Sequence, residues 1–413
     1  MLLNQKGLKL ANKIIKNWMV NKVGYSNLGD FCLRLFIAGN EISFSNTNQH
    51  YFRISSISKI ITILLILKLE AERKLSLDDE VRKYLPFIKR KITIKDILEH
   101  KSGIVRDGGV FDFWSSAVFP DEKDILSLSP DSFKKIKNNF KYSNLGYVLL
   151  GMIIEKACGK SYYDCLIEKI AKPLNLDVCK DNSVKLKGFS IISGKLINDV
   201  AVNAATKVFY PSFGIIISIK SVSRLLSFIC DIDKMDDFFG ANRRNYFFNS
   251  NGNKLEKWKN SGRKIYGHGG DFFGTSADLF IDPKNKIGGI VLSNVRGAEL
   301  SSISDGLLKI IYIIADSPFF LEKNSFANKE GLYKSRDKNL IVIALGSSIL
   351  LFDPTDNSPF YNGIIAKKEK EGRIVLKLAS PFAEVGEEIW FDKDYLKIGA
   401  LKYRRISGLI NEK

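Results

Sequence analysis

Apolar and polar positions divide the first three quarters of the chain into stretches with different periods. Residues 31–45 alternate around the turn AGNE, which predicts two strands. Residues from about 56 to 74 are almost wholly apolar after a polar start and predict one long helix. From 91 to about 210 apolar residues recur mostly every three or four positions, and the same spacing at 221–229 adds another helix. This middle block is therefore expected to be helical.

Strand patterns return after the helical block. The phrases TSADLFIDP and KIGGIVLSN (286–294) flank the turn DPKNK, and residues 305–315 have the period of a helix. The order along the chain is strands, an inserted helical block, more strands and a closing helix. This order predicts a mixed α/β domain. We expect this domain to cover 1–320, with a sheet flanked by helices and a helical subdomain at about 91–210.

The pattern changes again near the C-terminus. Residues 316–330 break the periodicity and predict a linker, and residues 328–413 form short apolar runs separated by Gly, Asp-Pro or Lys-Glu turns. Closely spaced strands without a helical period predict a small all-β barrel or sandwich. A chain of 413 residues is also too long for one compact core, so two domains are expected.

The N-terminus and the overall charge bear on location and partners. Lysines interrupt the first twenty residues at positions 6, 9, 13 and 16, which favours an amphipathic helix over a signal peptide. No apolar stretch is long enough to span a bilayer. The net charge of +18 is spread over short clusters without a nucleic-acid motif, which indicates solvated surface charge. We expect a soluble cytoplasmic protein without nucleic-acid or membrane partners.

The five cysteines, at 32, 158, 165, 179 and 230, form no CxxC motif. An odd count without that motif argues against a disulfide framework or a zinc site and fits a reducing interior. Cys158 and Cys165 are expected to be core-filling residues, because free cysteine is commonly buried.

The phrase FRISSISKIITILLILKLE (52–70) places one lysine at the start of the apolar helix. Residues three or four apart share a helix face, so Ser55 and Ser56 can both reach Lys59. A serine hydroxyl becomes a useful nucleophile only when a base takes its proton. A buried lysine with a lowered pKa can be that base. From this stretch alone, a lysine that extends to solvent beside helix-capping serines remains the alternative.

Two further motifs follow in order: YSN at 142–144 and HGG at 268–270. Together with SxxK they resemble the serine beta-lactamase and penicillin-binding-protein superfamily, and within it the class C beta-lactamase, D-aminopeptidase and esterase branch. The phrases DILEHKSGI (96–104) and PSFGIIISIKSVSRLLSF (211–228) are also similar to family segments. The resemblance covers about residues 30–315. It implies a beta-lactamase-like fold and an acyl-enzyme mechanism.

The resemblance implies four catalytic residues. It selects Ser56 over Ser55 as the nucleophile, because the family's lysine lies three residues after its serine. Lys59 would accept or relay the serine proton, and Tyr142 would work with it as general base and then as acid toward the leaving group. His268 takes the position that lysine holds in many relatives.

The resemblance also implies a set of substrate contacts. Asn144 would hydrogen-bond the substrate amide and the lysine, although Ser143 or Asn144 can equally cap the helix that follows. Gly269 and Gly270 would let the strand backbone approach the substrate. The N–H groups of Ser56 and Asp271 would form the oxyanion hole. A pairing of the Asp271 side chain with a substrate ammonium group is predicted separately, from its position next to HGG in the sequence alone.

Two departures from the family pattern change the expected substrate. Phe213 stands where relatives often have glycine, so a loop near the site is expected to differ. Neutral imidazole at His268 cannot supply the fixed positive charge that holds a substrate carboxylate in beta-lactamases. This, with the expected location, argues against a role in drug resistance or the cell wall. His100 is interpreted as a core or loop support.

The strands after the linker complete the interpretation. The catalytic domain followed by a strand-rich module resembles serine hydrolases with a lipocalin-like domain, and YLKIGALKYRRI (395–406) is typical of its closing strands. Oligomerisation or a lid role is favoured over ligand binding, so a homo-oligomer is one expected form. We expect a serine hydrolase for short peptides or amino-acid amides, including D-residues, without metal or organic cofactor. A carboxylesterase and a catalytically silent binding protein are the alternatives.

Overall fold

The computed structural model describes most of the chain. The described residues are 3–108, 111–128, 140–181, 183–249, 256–260, 263–321, 325–360, 364–368, 374–376, 388–392 and 394–410.

Within these residues the helices are α1 Gln5–Tyr25, α2 Ser58–Ala71, α3 Ile94–Leu98, α4 Phe113–Ser116, α5 Glu122–Leu126, α6 Asn144–Cys158, α7 Tyr162–Leu166, α8 Ile219–Cys230, α9 Ile232–Phe239, α10 Ala241–Asn249 and α11 Leu300–Asp316. A short 3₁₀ turn, Ser55–Ile57, precedes α2, and a π-helical turn, Tyr210–Gly214, precedes the next strand. The helices predicted at 56–74, 221–229 and 305–315 are present as α2, α8 and α11.

The strands are β1 Phe31–Ile37, β2 Asn40–Ser45, β3 Tyr51–Arg53, β4 Val178–Cys179, β5 Phe189–Ile192, β6 Lys195–Asn198, β7 Ile216–Ser218, β8 Glu256–Asn260, β9 Arg263–Phe272, β10 Thr275–Asp282, β11 Ile287–Ser293, β12 Val295–Arg296, β13 Gly331–Lys334, β14 Asn339–Leu345, β15 Ser348–Phe352, β16 Ile364–Lys368, β17 Ile374–Leu376, β18 Glu388–Asp392, β19 Tyr395–Ile398 and β20 Leu401–Ser407. They form a six-stranded sheet, two three-stranded sheets and a closed barrel.

The chain divides into two compact units, and the first is Leu28–Leu300. Its six-stranded antiparallel sheet has the order β2-β1-β11-β10-β9-β8. Every residue of β10 and β11 is buried, as in central strands covered on both faces. Gly289 lies opposite Phe280 in the β10–β11 pair, and a Cβ at Gly289 would meet the Phe280 ring at 2.2 Å. The glycine therefore makes room for the aromatic ring inside the sheet.

The helical block of this unit is built around α2. Eleven of its residues are buried, from Ser58 to Leu69, and α2 packs against α6 and the Tyr210–Gly214 turn. The prediction of helix through to about 210 is wrong for residues 178–198, which hold β4, β5 and β6. Runs such as SIISGKLI (190–197) are too short for periodicity to separate strand from helix, and tertiary pairing decides.

The second unit combines Met1–Asn27 with Ser301–Lys413. Strands β13 to β20 close in sequence order into an eight-stranded antiparallel barrel, which confirms the predicted all-β module. The grouping differs from the predicted boundaries 1–320 and 328–413, because α1 and α11 from Ser301 onward both fall in the unit that holds the barrel. Trp18 Nε1 donates to the Asp356 carbonyl at 3.1 Å, and Lys22 Nζ donates to the Thr355 carbonyl at 2.7 Å.

Two cysteines form a covalent link that the sequence did not predict. Cys158, at the end of α6, is disulfide-bonded to Cys165 in α7, with their Cα atoms 6.4 Å apart. Cys32, Cys179 and Cys230 are free. The expectation that Cys158 and Cys165 only fill the core is therefore wrong: the turn between α6 and α7 brings them within bonding distance. An odd number of cysteines is therefore compatible with one disulfide between two cysteines close in sequence.

Among the described residues, no helix combines the length and apolar character needed to cross a bilayer.

Candidate active site

The SxxK serine lies on a strained turn ahead of α2. Ser55 has a φ of +49°, in the left-handed region that non-glycine residues seldom occupy. Within the described residues, the buried Ser55 Oγ has no hydrogen-bond partner. Ser56 instead receives the hydrogen bonds: from the Tyr142 hydroxyl at 2.9 Å and from Lys59 Nζ at 3.3 Å. The geometry thus separates the two candidate serines and places Ser56 against the lysine.

Lys59 is completely buried, and its ammonium end points at three acceptors. Besides Ser56 Oγ, Nζ donates to Asn144 Oδ1 at 2.8 Å and to the Ser212 carbonyl at 2.9 Å. Burial lowers the pKa of Lys59 well below its ordinary value; Asp107 opposes this shift and Arg106 adds to it. The lysine does not extend to solvent, and a buried amine with a lowered pKa can accept a proton near neutral pH.

Tyr142 is held in place by His100 and by the start of α6. The imidazole of His100 lies 4.7 Å from the Tyr142 ring, and its Nδ1 accepts a hydrogen bond from Ser143 N at 3.1 Å. Ser143 is the helix N-cap, since its Oγ accepts from Gly146 N at 2.8 Å. Burial lowers the pKa of His100 well below the ordinary value, so the ring supports this loop as neutral imidazole.

Asn144 is fixed at both ends of its amide. Oδ1 accepts from Lys59 Nζ and from Ser212 Oγ, the latter at 3.1 Å, while Nδ2 donates to Asp107 Oδ1 at 2.6 Å. Because Asp107 is an acceptor, it forces the amide into the orientation that presents Oδ1 to the lysine. Asn144 therefore contacts the predicted lysine.

The HGG motif lies on β9, which runs beside the nucleophile turn. A Cβ placed on Gly270 would lie 2.8 Å from Ser56 N and 2.8 Å from Ser55 Cβ. Close backbone approach therefore requires glycine at 270. A Cβ on Gly269 would meet Asp278 Oδ1 at 3.4 Å, an ordinary contact, so sterics do not require glycine at 269. The approach of β9 brings its backbone next to the Ser56 N–H.

His268, also on β9, is buried. Its Nδ1 lies 2.5 Å from the Gly269 carbonyl, which can only accept, so Nδ1 carries the ring proton and Nε2 has the lone pair. Burial first, and the charge of Lys59 second, lower the pKa of His268 to about 4, against a smaller opposing effect of Gly269. The imidazole is neutral at neutral pH, as the sequence predicted, and supplies no fixed positive charge.

Asp271 lies exposed at the end of the HGG strand. Its Oδ1 accepts from Ser276 Oγ at 2.5 Å and from Gly297 N at 3.1 Å. These two bonds orient the carboxylate at the edge of the site. Its pairing with a substrate ammonium group remains a prediction.

A cavity of about 380 Å³ joins these groups. It is lined by Ser56, Arg106, Trp114, Tyr142, Asn144, Phe213, His268, Gly269, Gly270 and Asp271. Seven of the eight predicted site residues line it, and the eighth, Lys59, lies buried behind Ser56. The volume is within the range of small-molecule sites.

One wall of this cavity is aromatic. The rings of Trp114 and Phe213 lie 5.4 Å apart, and both contact Phe272. Phe213 is buried and stacks on Phe209. The departure from glycine at 213 thus places an aromatic ring in the wall of the site.

Three lining or supporting residues escaped the sequence analysis: Arg106, Asp107 and Trp114. Asp107 Oδ2 lies 3.3 Å from both Arg106 Nε and Trp114 Nε1, so the Asp107 carboxylate joins these two side chains to Asn144. The phrase VRDGGVFDFW has no helical or strand period. Its one available signal was a charged pair followed by glycines in a loop soon after DILEHKSGI.

A second cavity, of about 440 Å³, lies away from Ser56. Its lining includes Glu155, Tyr162, Tyr163, Tyr210 and Pro211. The Tyr210–Gly214 turn thus contributes to both cavities, through Pro211 here and Phe213 at the site.

Residues 39–186 match the beta-lactamase family. These residues therefore resemble a beta-lactamase family domain, and the fold of the chain is beta-lactamase-like with a closed C-terminal barrel. The family match and the fold confirm the superfamily resemblance and the fold class that the sequence predicted.

Among curated proteins, the teichoic acid D-alanine hydrolase of Staphylococcus aureus is 34% identical over 140 residues, which is 33% of this chain and 34% of that protein. The match thus spans about a third of the length of the curated relatives.

Among solved structures, the octameric penicillin-binding protein homologue from Pyrococcus abyssi superposes with a TM-score of 0.63 at 22% identity, covering 94% of this chain and 98% of that one. The D-amino acid amidase from Ochrobactrum anthropi SV3, complexed with D-phenylalanine, gives a TM-score of 0.60 at 16% identity, over 75% of this chain and 98% of the other. At these identities the likeness establishes the fold alone.

Proposed function

We propose that the protein is a serine hydrolase in which Ser56 forms an acyl-enzyme. The observation that carries the proposal is the position of Ser56 Oγ, 2.9 Å from the Tyr142 hydroxyl and 3.3 Å from the buried Lys59 Nζ. Both groups are within reach of the proton that a serine must lose on attack. No metal or organic cofactor is needed for this chemistry.

The first step joins Ser56 Oγ to a substrate carbonyl carbon. The serine proton passes to the Tyr142–Lys59 pair, and the N–H groups of Ser56 and Asp271 stabilise the negative oxygen. Collapse of the tetrahedral adduct breaks the bond to the leaving group, which takes the proton back from the pair. Water then attacks the acyl-enzyme and loses a proton to the same pair. Collapse of this second adduct breaks the bond between the acyl carbon and Ser56 Oγ, Oγ takes the proton back from the pair, and the carboxylic acid is released.

The substrate we propose is an ester or amide of an amino acid, preferably a D-amino acid, including short peptides. His268 is neutral and Lys59 is fully buried, so neither offers an exposed positive charge to a free substrate carboxylate. Arg106, which also lines the cavity, is paired with Asp107, with Nε 3.3 Å from Oδ2. Asp271 places an oriented carboxylate at the edge of the cavity, which suits an α-ammonium group. The names of the S. aureus and O. anthropi relatives, a D-alanine hydrolase and a D-amino acid amidase, support the D-configuration.

The test is a matched panel of D- and L-alanine methyl esters and amides, each with a free and an acetylated amino group. We expect the D-forms to be hydrolysed at least about tenfold faster than the L-forms, the difference that about 1.4 kcal/mol of barrier makes. Ser56→Ala should abolish the turnover of all of them. Equal rates for D- and L-forms would overturn the stereochemical part, and turnover that survives in Ser56→Ala would overturn the mechanism.

The acetylated substrates separate the role of Asp271. Asp271→Asn should raise KM for free amines and leave acetylated substrates unaffected, because only the ammonium group pairs with the carboxylate. An unchanged preference for free amines would exclude that role. Ester turnover without amide turnover would favour the carboxylesterase alternative, and ligand binding without any turnover would favour the binding protein. Cytoplasmic location and homo-oligomer formation through the barrel remain predictions.

A further inference from the structure

A β-hairpin in the Leu28–Leu300 unit exposes an unusual amount of apolar side chain. Strands β5 and β6 are joined by Ser193 and Gly194, both with positive φ, which is the geometry of a regular two-residue hairpin turn. Twelve large apolar side chains are exposed among the described residues, and five of them lie between positions 191 and 200: Ile191, Ile192, Leu196, Ile197 and Val200. Such clustering marks an interaction surface.

The apolar side chains occupy both faces of the hairpin. Ile191 pairs with Leu196, so these two share one face. Their neighbours Ile192 and Ile197 point to the opposite face, where they are 58% and 45% exposed. A flat protein partner covers one face of a two-stranded ribbon, whereas a fluid apolar layer surrounds both. The distribution therefore favours insertion into lipid.

The charges on the hairpin favour an anionic lipid surface. Residues 183–198 contain Lys185, Lys187 and Lys195 and no acidic residue, and all three lysines are exposed. The adjacent Asp199 is occupied by hydrogen bonds from Ser190 Oγ at 2.6 Å and from Ala201 N at 3.2 Å. Lysines flanking exposed aliphatic side chains are typical of segments that bind anionic headgroups, and the net charge of +18 acts in the same direction.

The base of the hairpin is fixed beside the candidate active site. Strand β5 pairs in parallel with β12, and the next residue, Gly297, donates its N–H to Asp271 Oδ1 in the cavity rim. Gly188, just before β5, lies against the Gly274 backbone so closely that a Cβ on Gly188 would meet it at 2.8 Å. The base of the hairpin therefore lies close to Asp271, which lines the cavity.

We propose that the β5–β6 hairpin is an interfacial anchor that inserts its aliphatic side chains into the headgroup boundary of a bilayer rich in anionic lipid. The contact is peripheral and spans nothing. It differs from the expectation, drawn from the dispersed charge, that the protein has no membrane partner. It goes beyond the hydrolase proposal and does not depend on it, since insertion requires no turnover.

The test is co-sedimentation of the full chain with vesicles of phosphatidylcholine alone and of phosphatidylcholine mixed equally with phosphatidylglycerol. The variant is the double substitution Ile192→Thr and Ile197→Thr, which keeps β-branched side chains in the strands and removes their apolar ends. The control is Ile406→Thr on β20, an isoleucine of similar exposure, 56%, on a strand of the barrel unit. Thermal melting checks that every protein is folded.

We expect binding to the mixed vesicles that weakens as salt is added, little binding to phosphatidylcholine alone, and at least about a tenfold loss of partitioning in the double variant. The Ile406→Thr control should bind like the native chain. Equal binding by the double variant, or no binding by the native chain, would overturn the proposal. Sedimentation equilibrium tests the other possible partner, a second copy of this chain. A dimer that forms with the native chain and with Ile406→Thr but not with the double variant would assign the hairpin to a dimer contact.

Discussion

The hydroxyl of Tyr142 donates a 2.9 Å hydrogen bond to Ser56 Oγ, across 86 residues of sequence. Lys59 Nζ lies 4.8 Å from the centre of the Tyr142 ring and 3.3 Å from the same serine oxygen. Serine, lysine and tyrosine therefore form one compact group, in which each can exchange a proton with its neighbour. Lys59 and Tyr142 therefore share the serine proton, and an apparent pKa read from a pH–rate profile describes this pair and not either residue alone.

Replacing Tyr142 by phenylalanine removes only the hydroxyl. We expect kcat/KM for the preferred D-alanine ester to fall by about 10²- to 10⁴-fold, the usual contribution of a positioned proton-transfer group. Steady-state kinetics on folded protein measures this. A loss of less than threefold would show that Tyr142 does not carry the proton.

Asp107 is a positioning residue for Lys59 and acts through Asn144. Asp107→Asn keeps an acceptor for Asn144 Nδ2 and removes a negative charge that raises the pKa of Lys59. The pKa of the lysine should fall further, so the acid limb of the kcat/KM profile should move to lower pH. We expect the rate itself to fall roughly tenfold, because the Asn144 contact is less firmly oriented.

The matched control for Asp107→Asn is Asp233→Asn, which removes an equal charge from a side chain that is 87% exposed. Its pH profile should overlay that of the native protein. An acid limb that stays in place in Asp107→Asn, or that moves equally in Asp233→Asn, would contradict the positioning role.

Acid should destabilise the fold through His268. Burial lowers its folded-state pKa to about 4, below the ordinary value of 6.5, so the unfolded chain binds this proton more tightly. The free energy of unfolding therefore falls as pH drops from about 6.5 to about 4, by roughly 3 kcal/mol from this residue. Urea unfolding across that range should show a shallower pH dependence for His268→Gln. Parallel curves would mean that the imidazole is not buried as neutral.

The Cys158–Cys165 disulfide should be detectable by alkylation under denaturing conditions. Without reductant, three cysteines should react, namely Cys32, Cys179 and Cys230; with reductant, all five should react. Reaction of five cysteines without reductant would contradict the bond. Because the link closes a short loop, the double change Cys158→Ser and Cys165→Ser should lower the free energy of unfolding by about 2 kcal/mol.

The spacing of residues along the chain was enough to predict part of the site. Ser56 and Lys59 are three residues apart on one helical turn, so their meeting follows from helix geometry. Tyr142 and His268 reach them only through the fold, and their positions were predictable because the order of motifs resembled a family. Of the eight site residues predicted from the sequence, seven line one cavity, and the eighth, Lys59, lies buried behind Ser56.

The parts that escaped prediction depend on contacts between distant or aperiodic segments. Asp107 lies in a loop without period, and only the packed structure shows that it fixes the Asn144 amide. The β5–β6 hairpin was predicted as helix, since four-residue strands are too short for periodicity to identify. The N-terminal helix groups with the barrel in one compact unit, and nothing local in the sequence indicates that Trp18 bonds to Asp356.

Intact mass after incubation with a serine-reactive fluorophosphonate shows whether Ser56 is an activated nucleophile. We expect one adduct, located in the 52–70 peptide, that is absent in Ser56→Ala and forms much more slowly in Tyr142→Phe. Folded native protein that forms no adduct, or an adduct that persists in Ser56→Ala, would contradict this expectation.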